Sequence, residues 1–190
     1  MREVAAPFDT VSLCLSKALG APIGSIIIGT ADVIAKARHL RKMLGGGMRQ
    51  VGIIAAGALY AVQHQYARLA EDHAMAASLA AALARNYGLE IMPCDSNIVL
   101  FRVPAPTKTD AAPVTAAAVV AWLKANERIW TCEMGADLVR LIPHYGNRPE
   151  ALTRRVPPAV LAALQALGAD PLADPACVAR REAVAAATAA

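Results

Sequence analysis

The chain has 190 residues, with 19 Lys plus Arg against 15 Asp plus Glu and a formal net charge of +4. That length suits one domain, or one plus a small second, and an apolar fraction of 56% excludes global disorder. Alanine supplies 44 of the apolar residues, and the longest clean apolar run, Val51 to Val62, is 12 residues with two glycines, short of the roughly 20 that a membrane-spanning helix needs.

Val11 to Leu15 reads as a short apolar strand, broken by the Gly- and Pro-containing stretch SKALGAPIG. Ser25 to Gly29 carries Ile26, Ile27 and Ile28, a β-branched run expected in a strand buried on both faces. Thr30 and Asp32 offer N-cap oxygens for a helix from Ala31 to Leu44, with Val33, Ile34, Ala37, Leu40 and Met43 at helical spacing. Gly45, Gly46 and Gly47 should stop it. Residues 50 to 87 are alanine-rich and read as one long helix or two, with Gly88 as a C-cap. Asn97 to Val103 is the next strand, followed by a Pro-rich loop. Val114 to Asn126 reads as a helix, Val139 to Pro143 as a strand, and Glu150 to Leu167 as a helix that Pro157 and Pro158 should kink or restart.

The expected organisation is α/β, with residues 1–88 in one part and residues 89–168 in a small C-terminal α/β domain whose two strands share a sheet. The Ala-rich tail, residues 169–190, is expected to be poorly ordered, with a short terminal helix as the alternative. The N-terminal sequence MREVAAPFD has no basic segment followed by an apolar one, so no secretory leader is expected. The scattered aromatics argue against a nucleic-acid binder. Cys14, Cys94, Cys132 and Cys177 lie far apart with no CxxC pair, so no metal site is expected and reduced thiols in the cytoplasm are the simpler reading.

Three segments carry candidate chemistry. Lys17 follows an apolar strand and precedes a Gly/Pro turn. A desolvated ε-amine there would be nucleophilic toward carbonyls, and the alternative is a snorkelling surface lysine. In RKMLGGGMRQ the three glycines can turn several backbone N–H groups toward one anion, with Lys42 and Arg49 on either side; the alternative is a flexible hinge. In DLVRLIPHYG, Arg140 interrupts an apolar strand. Facing inward it would need a carboxylate partner, and it could clamp a substrate carboxylate; on an edge strand it would face water. His144 and His73 read as structural.

Taken together, SLCLSKALGAPIGS, LRKMLGGGMRQVGIIAAGALYAV, LAEDHAMAASLA, NIVLF and VRLIPH resemble the low-specificity L-threonine aldolases, in order from about Asp9 to His144. The resemblance implies part of a pyridoxal-phosphate-dependent transferase-like fold: the end of the large domain plus the small C-terminal α/β domain. It implies pyridoxal 5'-phosphate as cofactor, with Lys17 at the position of the Schiff-base lysine. Lys42 and Arg49 would lie near the cofactor phosphate across a subunit interface, and Arg140 would hold the substrate α-carboxylate. The implied reaction cleaves a small β-hydroxy amino acid, of the threonine or allo-threonine type, to glycine and an aldehyde. Ala18 stands where the family has glycine, Tyr145-Gly146-Asn147 departs from Leu-Asp-Val, and Pro157-Pro158 interrupts the last helix. The family carries a large portion ahead of the lysine, so the resemblance implies an incomplete chain, inactive in isolation, that works as a homo-oligomer or with a complementing N-terminal half. The alternatives are a non-catalytic remnant acting as an association module, and another lyase or racemase on the same scaffold.

Overall fold

The computed structural model describes residues 2–108 and 110–189. The chain divides into two compact units, one up to Leu69 and one from Ala70 onward.

The first unit opens with the short helix α1 (Arg2–Ala5), followed by strands β1 (Thr10–Cys14) and β2 (Ser25–Gly29). These pair antiparallel, from Thr10 opposite Gly29 to Cys14 opposite Ser25. Helices α2 (Ala31–Met43) and α3 (Gly52–Tyr60) follow, and α3 runs directly into a π-helical turn, Ala61–Gln65. The small core is Leu15, Leu19, Ala21 and Ala61. Ile26, Ile27 and Ile28 form a strand as their β-branching dictates, but they are 41%, 56% and 50% exposed, not buried on both faces. Burying both faces needs elements packed above and below the sheet, and the small core of this unit includes none of the three isoleucines. The apolar stripe of α2 has its helical spacing, yet no residue of α2 is buried.

The second unit contains α4 (Leu69–Tyr87), β3 (Val99–Arg102), α5 (Ala116–Glu127), β4 (Cys132–Glu133), β5 (Leu138–Leu141), α6 (Pro149–Leu167) and α7 (Pro175–Ala189). The sheet order is β3-β5-β4, both pairs antiparallel, so the two strands expected in one sheet are neighbours in it. One sheet face is apolar: Val99, Phe101, Val139 and Leu141 pack with Leu79 and Leu83 of α4, Val119 and Leu123 of α5, and Val160 and Leu164 of α6. Because α4 contributes to this core, the division at Leu69 falls ahead of the helix, whereas the composition of the sequence places it after residue 88.

Two further expectations are revised. Helix α6 passes through Pro157 and Pro158 without interruption. The two missing N–H groups withdraw donors from the carbonyls of Thr153 and Arg154, but Val156, Pro157, Ala159 and Val160 are all buried, and that apolar burial holds the helix together. The tail also forms a regular helix, α7. Its Cys177 is fully buried, and Arg180 donates to Gly88 O at 2.8 Å. Gly88 has φ +65, and a Cβ placed there would sit 1.8 Å from Cys177 O.

Candidate active site

Lys17 lies in the ten-residue connection between β1 and β2. The connection is closed at its ends by Leu15 N–H donating to Gly24 O (3.0 Å) and Ala21 N–H donating to Leu15 O (3.0 Å), and Gly20 N–H donates to Lys17 O (2.8 Å). Gly20 and Gly24 have φ +73 and +104, a region open to glycine at little cost. Leu15, Leu19 and Ala21 of the loop are buried, whereas Lys17 is exposed and not desolvated as a nucleophilic amine there was expected to be, because its side chain lies outside the small core. Arg68 fastens the loop from below: Nη2 donates to Ala18 O at 3.2 Å, and Nε donates to Gln65 Oε1 at 2.8 Å. The long, exposed side chain of Lys17 therefore stands on a backbone fixed on both sides of it. Nothing in the local sequence pattern marks Arg68, which acts on the loop across 50 residues.

Cys14 stands just before this loop, with Sγ 3.5 Å from Ser16 Oγ. Ser16, through its hydroxyl and then its backbone, holds the Cys14 thiol below its ordinary value; burial opposes this, and Ser25 and the charge of Lys17 add smaller lowering effects.

The glycine run does not turn its N–H groups toward an anion. Gly45, at φ +82, donates to Lys42 O (3.2 Å), and Gly46 donates to Arg41 O (2.8 Å). This is a Schellman cap in which both amides satisfy carbonyls of α2. Gly47 serves the segment differently. A Cβ there would lie 2.8 Å from Lys42 Cδ, so its missing side chain lets the stem of Lys42 fold across it. Lys42 and Arg49 are both exposed, and anion contacts in this segment fall to their side chains.

Arg140 is on β5, the central strand, opposite Leu100 and Cys132. The alternation of β5 buries Val139 and Leu141 and leaves Leu138 and Arg140 partly exposed on the other face. The expected carboxylate partner is absent among the described residues; Arg140 Nε donates to Cys132 Sγ at 3.1 Å, and Thr131 Oγ1 donates to Arg140 O. Arg102, on the same face, is occupied by Asp137 and by Glu90. With Nε donating to Cys132 Sγ, the two terminal nitrogens of Arg140 have no hydrogen-bond partner among the described residues.

Lys17, Lys42 and Arg49 belong to the first unit and Arg140 to the second. His144 organises the turn after β5: its Nδ1 accepts from Gly146 N–H (3.1 Å), and its N–H donates to Asn147 Oδ1 (2.9 Å). His73 is exposed, while its neighbour Asp72 is fully buried. Among the described residues no group of His, Cys, Asp and Glu is arranged to hold a metal ion, and no helix is long and apolar enough to cross a membrane.

Known proteins share both the sequence and the fold of this chain in part. A low specificity L-threonine aldolase of Escherichia coli strain K12 is 39% identical over 152 residues, covering 80% of this chain and 42% of the relative. A probable low-specificity L-threonine aldolase of Schizosaccharomyces pombe is 48% identical over 100 residues, covering 52% of this chain and 26% of the relative. The chain thus spans about two fifths or less of the length of these relatives. Among solved structures, SPT with PLP internal aldimine superposes with a TM-score of 0.62 at 18% identity, over 85% of this chain and 41% of that one. The ureidoglycine-glyoxylate aminotransferase of Bacillus subtilis gives 0.59 at 17% identity, over 92% and 52%. At that identity the likeness establishes the fold alone, the mixed α/β fold of part of a transferase-like chain. The beta-eliminating lyase family model matches residues 1–105, more than half of the sequence, and the chain belongs to that family.

Proposed function

We propose that this chain carries the lysine, the phosphate-side cations and the carboxylate-binding arginine of a pyridoxal-phosphate-dependent aldolase that cleaves threonine-type β-hydroxy amino acids to glycine and an aldehyde. The observation that carries the reading is Lys17: an exposed amine on a loop locked by backbone hydrogen bonds and by Arg68, in a chain whose relatives include threonine aldolases. The residues present fit the cofactor. Lys17 Nζ would hold it covalently, and Lys42 and Arg49 would meet its phosphate as charge-assisted donors. When bound, pyridoxal phosphate supplies an electron sink for the pair left behind as Cα–Cβ breaks. Arg140 would orient the substrate by a two-pronged grip on its α-carboxylate, with Nε kept out of that grip by Cys132. In this reading Lys42 and Arg49 reach the phosphate across a contact with a second copy of the chain or a complementing one. The acting form is then an assembly, and the four free thiols fit a reducing cytoplasm.

A reading as an association module has its own support in the exposed isoleucines of β2, because unpaired strand edges recruit other chains. The test is borohydride reduction with pyridoxal phosphate of the chain complemented by an N-terminal half, followed by peptide mapping. Label concentrated on Lys17, and lost in Lys17→Ala, is the expected result. Label on Lys36 or Lys42 instead would overturn the assignment.

A further inference from the structure

The helix-covered side of the second unit contains a cleft of about 560 Å3 that none of Lys17, Lys42, Arg49 and Arg140 lines. Its accessible apolar lining comes from the half-buried Ile129 and Leu152 and the exposed Ile142, with the buried Leu79 and Leu141 behind them. Three exposed arginines are among its lining residues: Arg128 just after α5, Arg148 just before α6, and Arg155 within α6. No Asp or Glu is among the residues lining it. None of the three arginines makes an ion pair among the described residues; Arg155 donates to the backbone carbonyl of Glu127, which leaves its charge uncompensated. Trp130 also lines the cleft, 77% exposed, with Lys124 Nζ 4.2 Å from the centre of its ring.

Three like charges at one cleft with no carboxylate among them repel one another, and an anion would offset that repulsion. Arg128 has φ 53 because it is the left-handed C-cap that ends α5, which fixes its backbone at the edge of the cleft. The volume lies within the range of roughly 300–1,000 Å3 typical of small-molecule sites.

We propose that this cleft binds a small amphipathic anion, its carboxylate or phosphate held by the arginines and its apolar body resting on Ile142 and Leu152 beside Trp130. The site is independent of the aldolase reading, since it shares no residue with it.

The test is titration of the full chain with phenylacetate, phenyl phosphate, inorganic phosphate and benzyl alcohol, followed by tryptophan fluorescence, with Trp130→Phe identifying the reporter. Saturable change with one or both aromatic acids, weaker change with inorganic phosphate and none with benzyl alcohol is expected. Preference between the two acids identifies a phosphate monoester or a carboxylate as the source of the anion. Arg148→Gln and Arg128→Gly should each weaken binding about fivefold or more. The second substitution removes a cation while easing the backbone, so unchanged circular dichroism with weakened binding separates recognition from folding. No saturable response to either acid, equal responses to benzyl alcohol or inorganic phosphate, or full affinity in both arginine variants would overturn the proposal.

Discussion

Two cysteines show how neighbours a few ångströms away set the chemistry of a side chain. Cys14 is held below the ordinary thiol value, chiefly by Ser16, whereas burial, and then Asp174, raises Cys177, with Arg180 opposing. Alkylation proceeds through the thiolate, so iodoacetamide should label Cys14 at lower pH than Cys177, read by mass spectrometry across a pH series. Labelling of both with the same midpoint would contradict this. The raised Cys177 value also bears on stability. Its contribution is fully present below the unfolded thiol value and is lost as pH rises from there through the folded value. Denaturation midpoints should therefore fall on the alkaline side, and less so in Cys177→Ala. The loop position of Lys17 is legible in the sequence because its strand and Gly/Pro turn are contiguous with it. The Cys132 partner of Arg140 is not, because it faces Arg140 only through the register of β4 on β5.

Among the elements, α7 is the clearest case of a helix determined by its docking. Alanine-rich sequence alone gives no reason for residues 175–189 to be held in one place, since an isolated helix of this length is marginal. Cys177 and Arg180 fasten it over Gly88. Gly88→Ala would combine a clash 1.8 Å from Cys177 O with a left-handed φ of +65. We expect a loss of roughly 2 to 4 kcal/mol in chemical denaturation, accompanied by faster proteolysis within α7. A change under about 0.5 kcal/mol would mean that α7 does not dock there. Helix α6 makes the same point in reverse: two prolines that locally argue for a break are overruled by the apolar face they lie on.

Across the chain as a unit, apolar exposure is concentrated in the first part, where Ile27, Leu44, Ile53 and Leu59 are each more than half exposed. Strand β2 combines this with an unpaired edge, a combination that promotes association between chains. The chain should self-associate in a concentration-dependent way, and Ile27→Glu should shift light-scattering mass toward the monomer. An unchanged mass would place the association elsewhere.

Local features of this protein can be read from contiguous residues. The positions of β1, β2, β3 and β5, the glycine end of α2 and the likeness of the lysine segment to threonine aldolases are all of this kind, because turn preference, capping and periodicity act over one or two helical turns. Burial and partnership came instead from the folded chain. Folding left Ile26, Ile27 and Ile28 exposed, carried α6 through its prolines, committed the amides of Gly45 and Gly46 to a helix cap, and gave Arg140 a thiol in place of a carboxylate. It also drew three arginines, spread from residue 128 to residue 155, around one cleft. Each of these outcomes depends on which distant groups come to lie against one another, and desolvation and packing between remote segments have no signature within a short window of sequence.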